Sequence, residues 1–328
     1  MVKSNEVVKA NEHFASQRVE GVVCVFAGAT NGIGARTLER SVSLFQSATF
    51  YILGRSSARF ERDQRPVLDS LKTPGCRIVF IETEVSLIAA VDAASSQIAA
   101  AESKVDYLFM SMGTGVPFGG AEYTSEGLEV CFALSYYSRA RLLSNLLPLL
   151  RQAPNPRVLC VLNGGREKLI DETDLGLEKP GAWSVRGAIK HNTVLMSIAL
   201  DRFAADEGNS HITFLHNFPG LVRTDNPRKK NPTGLLGLLL RFVNKFIVTF
   251  AQFLVGMSSK EAGERQAYHL TSNTYGPGSW RISLKGDVVP DNAALKHYRE
   301  AGWMDKFWEF TVRTWDRALA QSSGGVSK

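Results

Sequence analysis

The chain has 328 residues, 44% of them hydrophobic and 21% charged. That balance excludes disordered, collagen-like and coiled-coil classes and leaves enough chain to bury a large core. Lys and Arg number 38 against 32 Asp and Glu, a net charge of +6 with no basic tail, so nucleic acid is not an expected partner. Cys24, Cys76, Cys131 and Cys160 show no metal-ligand spacing; they read as small buried hydrophobes in a reducing, cytoplasmic setting without a metal.

Residues 1–20 alternate charged with apolar residues and predict an exposed amphipathic helix rather than a signal peptide. From Gly21 the pattern changes. An apolar run at 22–27 leads into GATNGIG and then a helical segment at 35–45. Further strand-like runs follow at 51–54, 77–82, 106–110, 157–162 and 211–218, with helical patterns between nearly all of them. Apolar runs without strict alternation suit strands covered on both faces. The fold class predicted is α/β, a doubly wound parallel sheet of the Rossmann type with a C-terminal helical extension. No linker or composition break divides 21–328, which reads as one domain.

In GATNGIG, Gly28 permits a tight exit from the strand, Gly32 lets backbone approach a pyrophosphate, and Gly34 lets the helix pack close to the sheet. Gly28, Thr30, Asn31, Gly32, Ile33 and Gly34 are therefore assigned to a dinucleotide. Arg55 follows the second strand, 21 positions after Gly34, with Ser56 and Ser57 beside it. A carboxylate at that place favours NAD; an arginine with hydroxyl neighbours favours a 2′-phosphate. NADP(H) is the expected cofactor.

These glycines, the GRS after strand two and NFPGLVRTD at 217–225 together resemble the short-chain dehydrogenase/reductase family over roughly residues 20 to 225. The resemblance implies a Rossmann fold and NADP(H). It also implies a cofactor contact from Gly113, the one residue retained of the motif after strand four, and from the turn carrying Pro219, Gly220, Val222 and Thr224. Thr224 would touch the nicotinamide carboxamide. A catalytic tetrad of Asn, Ser, Tyr and Lys is implied as well. In this chain Lys190 falls in register, but Arg186 stands at the tyrosine position, Asn163 at the serine and Ser135 at the asparagine.

Arginine cannot release a proton at useful rates near neutrality. Arg186 and Asn163 are left as groups that polarise a substrate oxygen. Substitute acids are Tyr137 or Tyr136, close to Ser135, and Asp171, Asp174 or His191. A one-turn slip would put Trp183 at the tyrosine position, which is no better an acid.

Residues 226–257 hold the most hydrophobic stretch of the chain. Arg241, Lys245, Thr249 and Gln252 interrupt it at helical spacing, which disfavours a membrane crossing. Three readings stay open for 233–257: a lid over a lipophilic small-molecule substrate, a helix lying in a membrane surface, or packing in the core or a homodimer. Residues 258–328 read as a helical tail, opened by Ser258 and Glu261 at capping-box spacing and ending in an aromatic-rich helix. The tyrosine-lacking pattern looks like a divergent fungal group from secondary-metabolite pathways. It implies three functions: NADPH-dependent reduction of a carbonyl or enone, a non-redox cyclase or isomerase that keeps the nucleotide, or a catalytically inert binding protein.

Overall fold

The computed structural model describes residues 2–113, 120–220, 222–223 and 257–324. Its elements in chain order are α1 (Ser4–Ser16), β1 (Val22–Ala27), α2 (Gly32–Val42), β2 (Ala48–Gly54), α3 (Ser57–Asp63), α4 (Arg65–Leu71), β3 (Arg77–Glu82), α5 (Ile88–Ala101) and β4 (Tyr107–Met110). There follow α6 (Val130–Phe132), a π-helical turn at Ala133–Tyr137, α7 (Ser138–Leu150), β5 (Arg157–Val161), α8 (Val185–Ala205) and β6 (Thr213–Asn217). The chain closes with a two-residue pair, β7 (Val222–Arg223) and β8 (Met257–Ser258), then α9 (Ser259–Thr271), β9 (Gly278–Ile282), α10 (Ala293–Glu300) and α11 (Trp303–Gly324).

Seven strands form one parallel sheet in the order β3-β2-β1-β4-β5-β6-β9. Parallel strands need crossover helices, and β1, β5 and β6 are buried at every position. On β1, Val23, Val25 and Ala27 enter one core and Val22, Cys24 and Phe26 the other. Alternate residues thus serve opposite layers, which is why this strand shows no polar alternation in sequence.

The expected sheet is present, with one correction. The segment from 258 onward is not wholly helical, because β9 adds a seventh strand beside β6, in register from Thr213↔Gly278 to Asn217↔Ile282. GSWRI carries no apolar run, so nothing in its pattern announces a strand. It is fixed instead by tertiary contacts: buried Arg281 pairs with Asp201 at 2.5 Å, and Asp201 also takes Arg299 at 2.6 Å. The second strand starts at Ala48 rather than 51, and the sixth is shorter than 211–218.

The first helix does not stand free. Asn11 is fully buried against α9 and donates to the Glu264 carboxylate at 2.6 Å. The predicted cap at 258 is present, with Ser258 Oγ accepting the Glu261 amide at 3.1 Å. In α11, Phe307, Thr311, Thr314, Trp315 and Ala318 make a buried stripe at helical spacing. That stripe closes over α5, α7 and α8, where Arg141 stacks on Trp315 and Arg202 on Trp308, each at 5.1 Å. Among the described residues no helix is long and apolar enough to cross a membrane. Thr224 and residues 226–256 of the apolar stretch lie outside the described residues.

Candidate functional site

The glycine turn is built by backbone that only glycine adopts comfortably. Gly28 has φ +80° and Gly32 φ +58°. A Cβ on Gly28 would lie 2.4 Å from the Met112 amide nitrogen, and one on Gly34 would lie 2.2 Å from the Gly28 carbonyl oxygen. Side chains occupy the carbonyls around this turn: Ser111 Oγ donates to Gly28 O at 2.9 Å and Gln64 Nε2 to Ala29 O at 2.8 Å. Asn31 caps α2 by accepting the Gly32 amide at 2.7 Å. The amides of Ile33 and Gly34 have no helical carbonyl behind them, and the positive end of the helix dipole faces the same way. The turn therefore presents free amides at the carboxyl end of β1, a geometry suited to an anion. Gly113 borders open space there, since a Cβ on it would meet no atom within 4 Å among the described residues.

Arg55 and Ser56 leave the end of β2. Ser56 caps α3, accepting the Arg59 amide at 3.3 Å. The Arg55 side chain is 56% exposed and meets Glu84 only at 3.8 Å. An exposed ion pair that long contributes well under about 1 kcal/mol, so the guanidinium is available to a ligand. Across the sheet, Gly220 takes φ +75° after Pro219, and the preceding Phe218 amide donates to Ile282 of β9 at 2.9 Å. The strand that escapes detection in the sequence thus anchors the PG turn. Val222 is buried just beyond it.

Arg186 and Lys190 sit one turn apart near the start of α8, Arg186 exposed and Lys190 half-buried. Neither has a hydrogen bond or ion pair among the described residues. Asn163 joins the same helix, its Nδ2 donating to Thr193 Oγ1 at 3.2 Å. Its backbone is held from below. The Asn163 amide donates to His216 Nε2 at 3.3 Å, which places the His216 proton on Nδ1, donating to Ser197 Oγ at 2.7 Å. Ser197 in turn donates to Glu167 Oε1 at 2.6 Å. Burial, with Arg281 and Arg139 nearby, drives the His216 pKa well below its ordinary value, so the ring is neutral. Ser135 lies in the π-helical turn, half-buried. Such turns recur at functional sites because they re-aim the residues of one helix turn.

The substitute acids expected from the sequence are placed elsewhere. The Tyr136 hydroxyl shares a 2.6 Å hydrogen bond with Thr311 of α11. Tyr137 is turned the same way, its ring packed on Phe310 at 6.3 Å and its carbonyl taken by Trp315 Nε1 at 3.2 Å. Burial pushes both phenols far up. Tyr137 looks onto a cavity of about 280 Å³ that it shares with Glu129, Phe132, Trp183, Thr314 and Arg317. The sequence offers Tyr137 as a substitute acid near Ser135; the structure packs it against the tail helix.

Asp171 accepts Thr173 N and Oγ1 at 2.9 and 2.7 Å, which lowers its pKa and keeps it ionised. Asp174 accepts the amides of Glu178 and Lys179. His191 is buried against Leu175 O at 3.0 Å, and burial lowers its pKa. All three are spent on local structure.

Replacing Tyr136 or Tyr137 by phenylalanine is expected to change turnover by less than about threefold, with Tyr136→Phe also costing about 1 kcal/mol of stability from the lost Thr311 hydrogen bond. Parallel kinetic and melting measurements check this. A loss of turnover beyond about tenfold (~1.4 kcal/mol) without a melting change would return the acid role to that tyrosine.

Ser111, Ser197, Glu167 and His216 are not legible in the sequence as site residues. Each is an ordinary polar residue in a strand, just past one, on a helix or in a loop, and only the folded topology brings Ser197, Glu167 and His216 together and sets Ser111 on Gly28.

No protein-family model matches the chain. It is similar to an oxidoreductase of Emericella nidulans, 34% identical over 326 residues that span 91% of this chain and 94% of that protein. An oxidoreductase of Aspergillus flavus is 30% identical over 342 residues, 92% and 93% of the two chains. An NmrA-like family domain-containing oxidoreductase of an Aspergillus species is 32% identical over 332 residues, 95% and 94%. Among solved structures, a short-chain dehydrogenase/reductase of Serratia marcescens superposes with a TM-score of 0.55 at 18% identity, covering 82% of this chain and 98% of that one. A putative short chain dehydrogenase of Pseudomonas syringae gives 0.59 at 14% identity, covering 81% and 96%.

Proposed function

The chain belongs to the short-chain dehydrogenase/reductase superfamily of oxidoreductases, with a nicotinamide nucleotide as its cofactor, and from that premise we propose that it is an NADPH-dependent reductase of a lipophilic carbonyl or enone in fungal secondary metabolism. The observation that carries the reading is the glycine turn at the carboxyl end of β1, with free helix amides on one side and the unclaimed Arg55 guanidinium on the other. Gly28, Thr30, Asn31, Gly32, Ile33 and Gly34 would hold the pyrophosphate, Arg55 and Ser56 the 2′-phosphate, and Gly113, Lys190, Pro219, Gly220, Val222 and Thr224 the nicotinamide end. When bound, the reduced nicotinamide supplies the two-electron reduction.

The protein's own groups do the rest. Asn163, fixed by His216 and Thr193, and Arg186 polarise the substrate oxygen. With both nearby tyrosines bound to α11, Lys190 Nζ holds and orders the solvent that delivers the proton. The composition of 233–257 supports a lipophilic substrate, with this stretch as its lid. The non-redox alternative, cyclisation or isomerisation on the same polarising groups, is favoured by one observation: the phenols are committed elsewhere.

Incubating the enzyme with a panel of lipophilic ketones and enones decides between them. Reduction consumes one NADPH per product, whereas a cyclase turns over without net consumption. Lys190→Met is expected to lower turnover by about a hundredfold, roughly 2.7 kcal/mol. Unchanged turnover would remove Lys190 from the site.

A further inference from the structure

Arg139, the first-turn arginine of α7, is among the most deeply buried side chains of the protein at 1% exposure. Among the described residues no carboxylate lies within ion-pair distance of it. Its guanidinium instead spans the carboxyl ends of two neighbouring strands. Nη1 donates to Met110 O at 3.1 Å, to Val161 O at 3.0 Å and to Cys160 Sγ at 3.0 Å; Nη2 donates to Met112 O; Nε donates to Leu134 O of the π-helical turn at 3.0 Å.

Removing a cation from water without a counter-ion costs several kcal/mol. Backbone carbonyl dipoles return only part of it. An apolar residue would avoid that cost but orphan the buried carbonyls the fork satisfies, so the guanidinium leaves a net positive charge that an anion bound in the crevice would balance.

The sheet order says which anion. Met112 is the residue against which Gly28 packs, so Arg139 Nη2 holds the strap that forms one wall of the glycine-turn crevice. Val161 O marks the point where β5 gives way to Asn163. In the sheet, β2 with Arg55 lies on one side of β1, and β4 and β5 lie on the other. A dinucleotide whose pyrophosphate sits on α2 extends its adenosine end toward β2 and its opposite end toward β4 and β5.

We propose that Arg139 is a positioning residue for the nicotinamide half of the crevice: its fork fixes the segment from Met110 to Met112 against the end of β5 at Cys160 and Val161, and its positive charge is balanced when the anionic dinucleotide is bound. A planar fork reaches acceptors on three segments at once, which a lysine ammonium cannot do. The inference rests on the nucleotide reading above.

Two probes separate positioning from a general loss of structure. Adenosine 2′-monophosphate engages only the Arg55 end, while NADP+ engages both. In calorimetric titrations with each probe, Arg139→Met is expected to weaken NADP+ by about tenfold or more and to leave adenosine 2′-monophosphate within about twofold of the parent. Arg139→Lys, which keeps the charge and loses the fork, is expected to show the same split with a smaller NADP+ loss, and it carries the test if the methionine variant fails to fold. Equal loss of both probes, or no loss of NADP+, overturns the assignment. A parent protein that binds neither probe rejects the nucleotide reading itself, and Arg139's role falls with it.

Discussion

Arg55→Ala is expected to weaken NADP(H) binding by about tenfold to a hundredfold while leaving NAD(H) within about twofold, because one charge-assisted hydrogen-bonding group contributes about 1.5–3 kcal/mol to a phosphate and nothing to a free hydroxyl. The side chain is more than half exposed and its Glu84 partner stands at 3.8 Å, so the parent structure gives up little when the arginine is removed. The phosphate contact is correspondingly open to solvent, and raising salt should weaken NADP(H) binding in the parent far more than in the alanine variant. Ser56 is spent partly on capping α3, so Ser56→Ala should cost helix stability as well as affinity, and the two arms need not agree. Titrating NADPH and NADH by fluorescence against both variants checks the assignment. Equal loss of both nucleotides would assign Arg55 to structure rather than to the 2′-phosphate.

The nucleotide half of the site is legible in the sequence because its physics is local. A buried strand, a turn that needs φ > 0 and a helix amino terminus are contiguous in the chain, and each leaves its own residue signature at 22–45. The polarising half is assembled from the ends of β4, β5 and β6 and the start of α8, so its supports are far apart in sequence. Ser197 and His216 are 19 residues apart, and Glu167 is 30 from Ser197.

Tyr136 and Tyr137 show the limit most clearly. Sequence spacing places them within a turn of Ser135, but their direction is set by α11, about 175 residues downstream, where Thr311 takes the Tyr136 hydroxyl and Trp315 the Tyr137 carbonyl. A helix position reports a face, and which partner covers that face is a tertiary fact. β9 escapes for the same reason. It pairs with β6 through its backbone, and Arg281 pins it to Asp201 of α8 where no apolar run would mark it.

Acidifying the solution from pH 6.5 to 5 is expected to remove about 3 kcal/mol of folding stability, a large share of the roughly 5–15 kcal/mol a domain of this kind holds. The cause is a pair of fully buried neutral histidines. His269 is pushed down to about 3 by burial, with the Arg265 charge adding to it, and donates to the Tyr275 hydroxyl at 3.1 Å. His216 is lowered in the same direction by burial, then by Arg281 and Arg139. In both, the folded-state pKa lies below that of the unfolded chain, so as pH falls through 6.5 the unfolded state takes up protons that the folded state refuses. The stability is fully present above that pH and is lost below it, at about 1.4 kcal/mol per unit for each ring. His191 shifts the same way and steepens the fall. Most carboxylates begin to titrate only below about pH 5; buried Glu129, whose pKa burial raises, acts in the opposite direction and offsets part of the histidine slope. Urea unfolding at half-unit steps across it measures the slope, and His269→Gln should remove about one ring's share. A flat profile across that window would mean that these rings stay solvated, and with them the Asn163 anchor beneath the substrate oxygen would lose its neutral, Nδ1-protonated support.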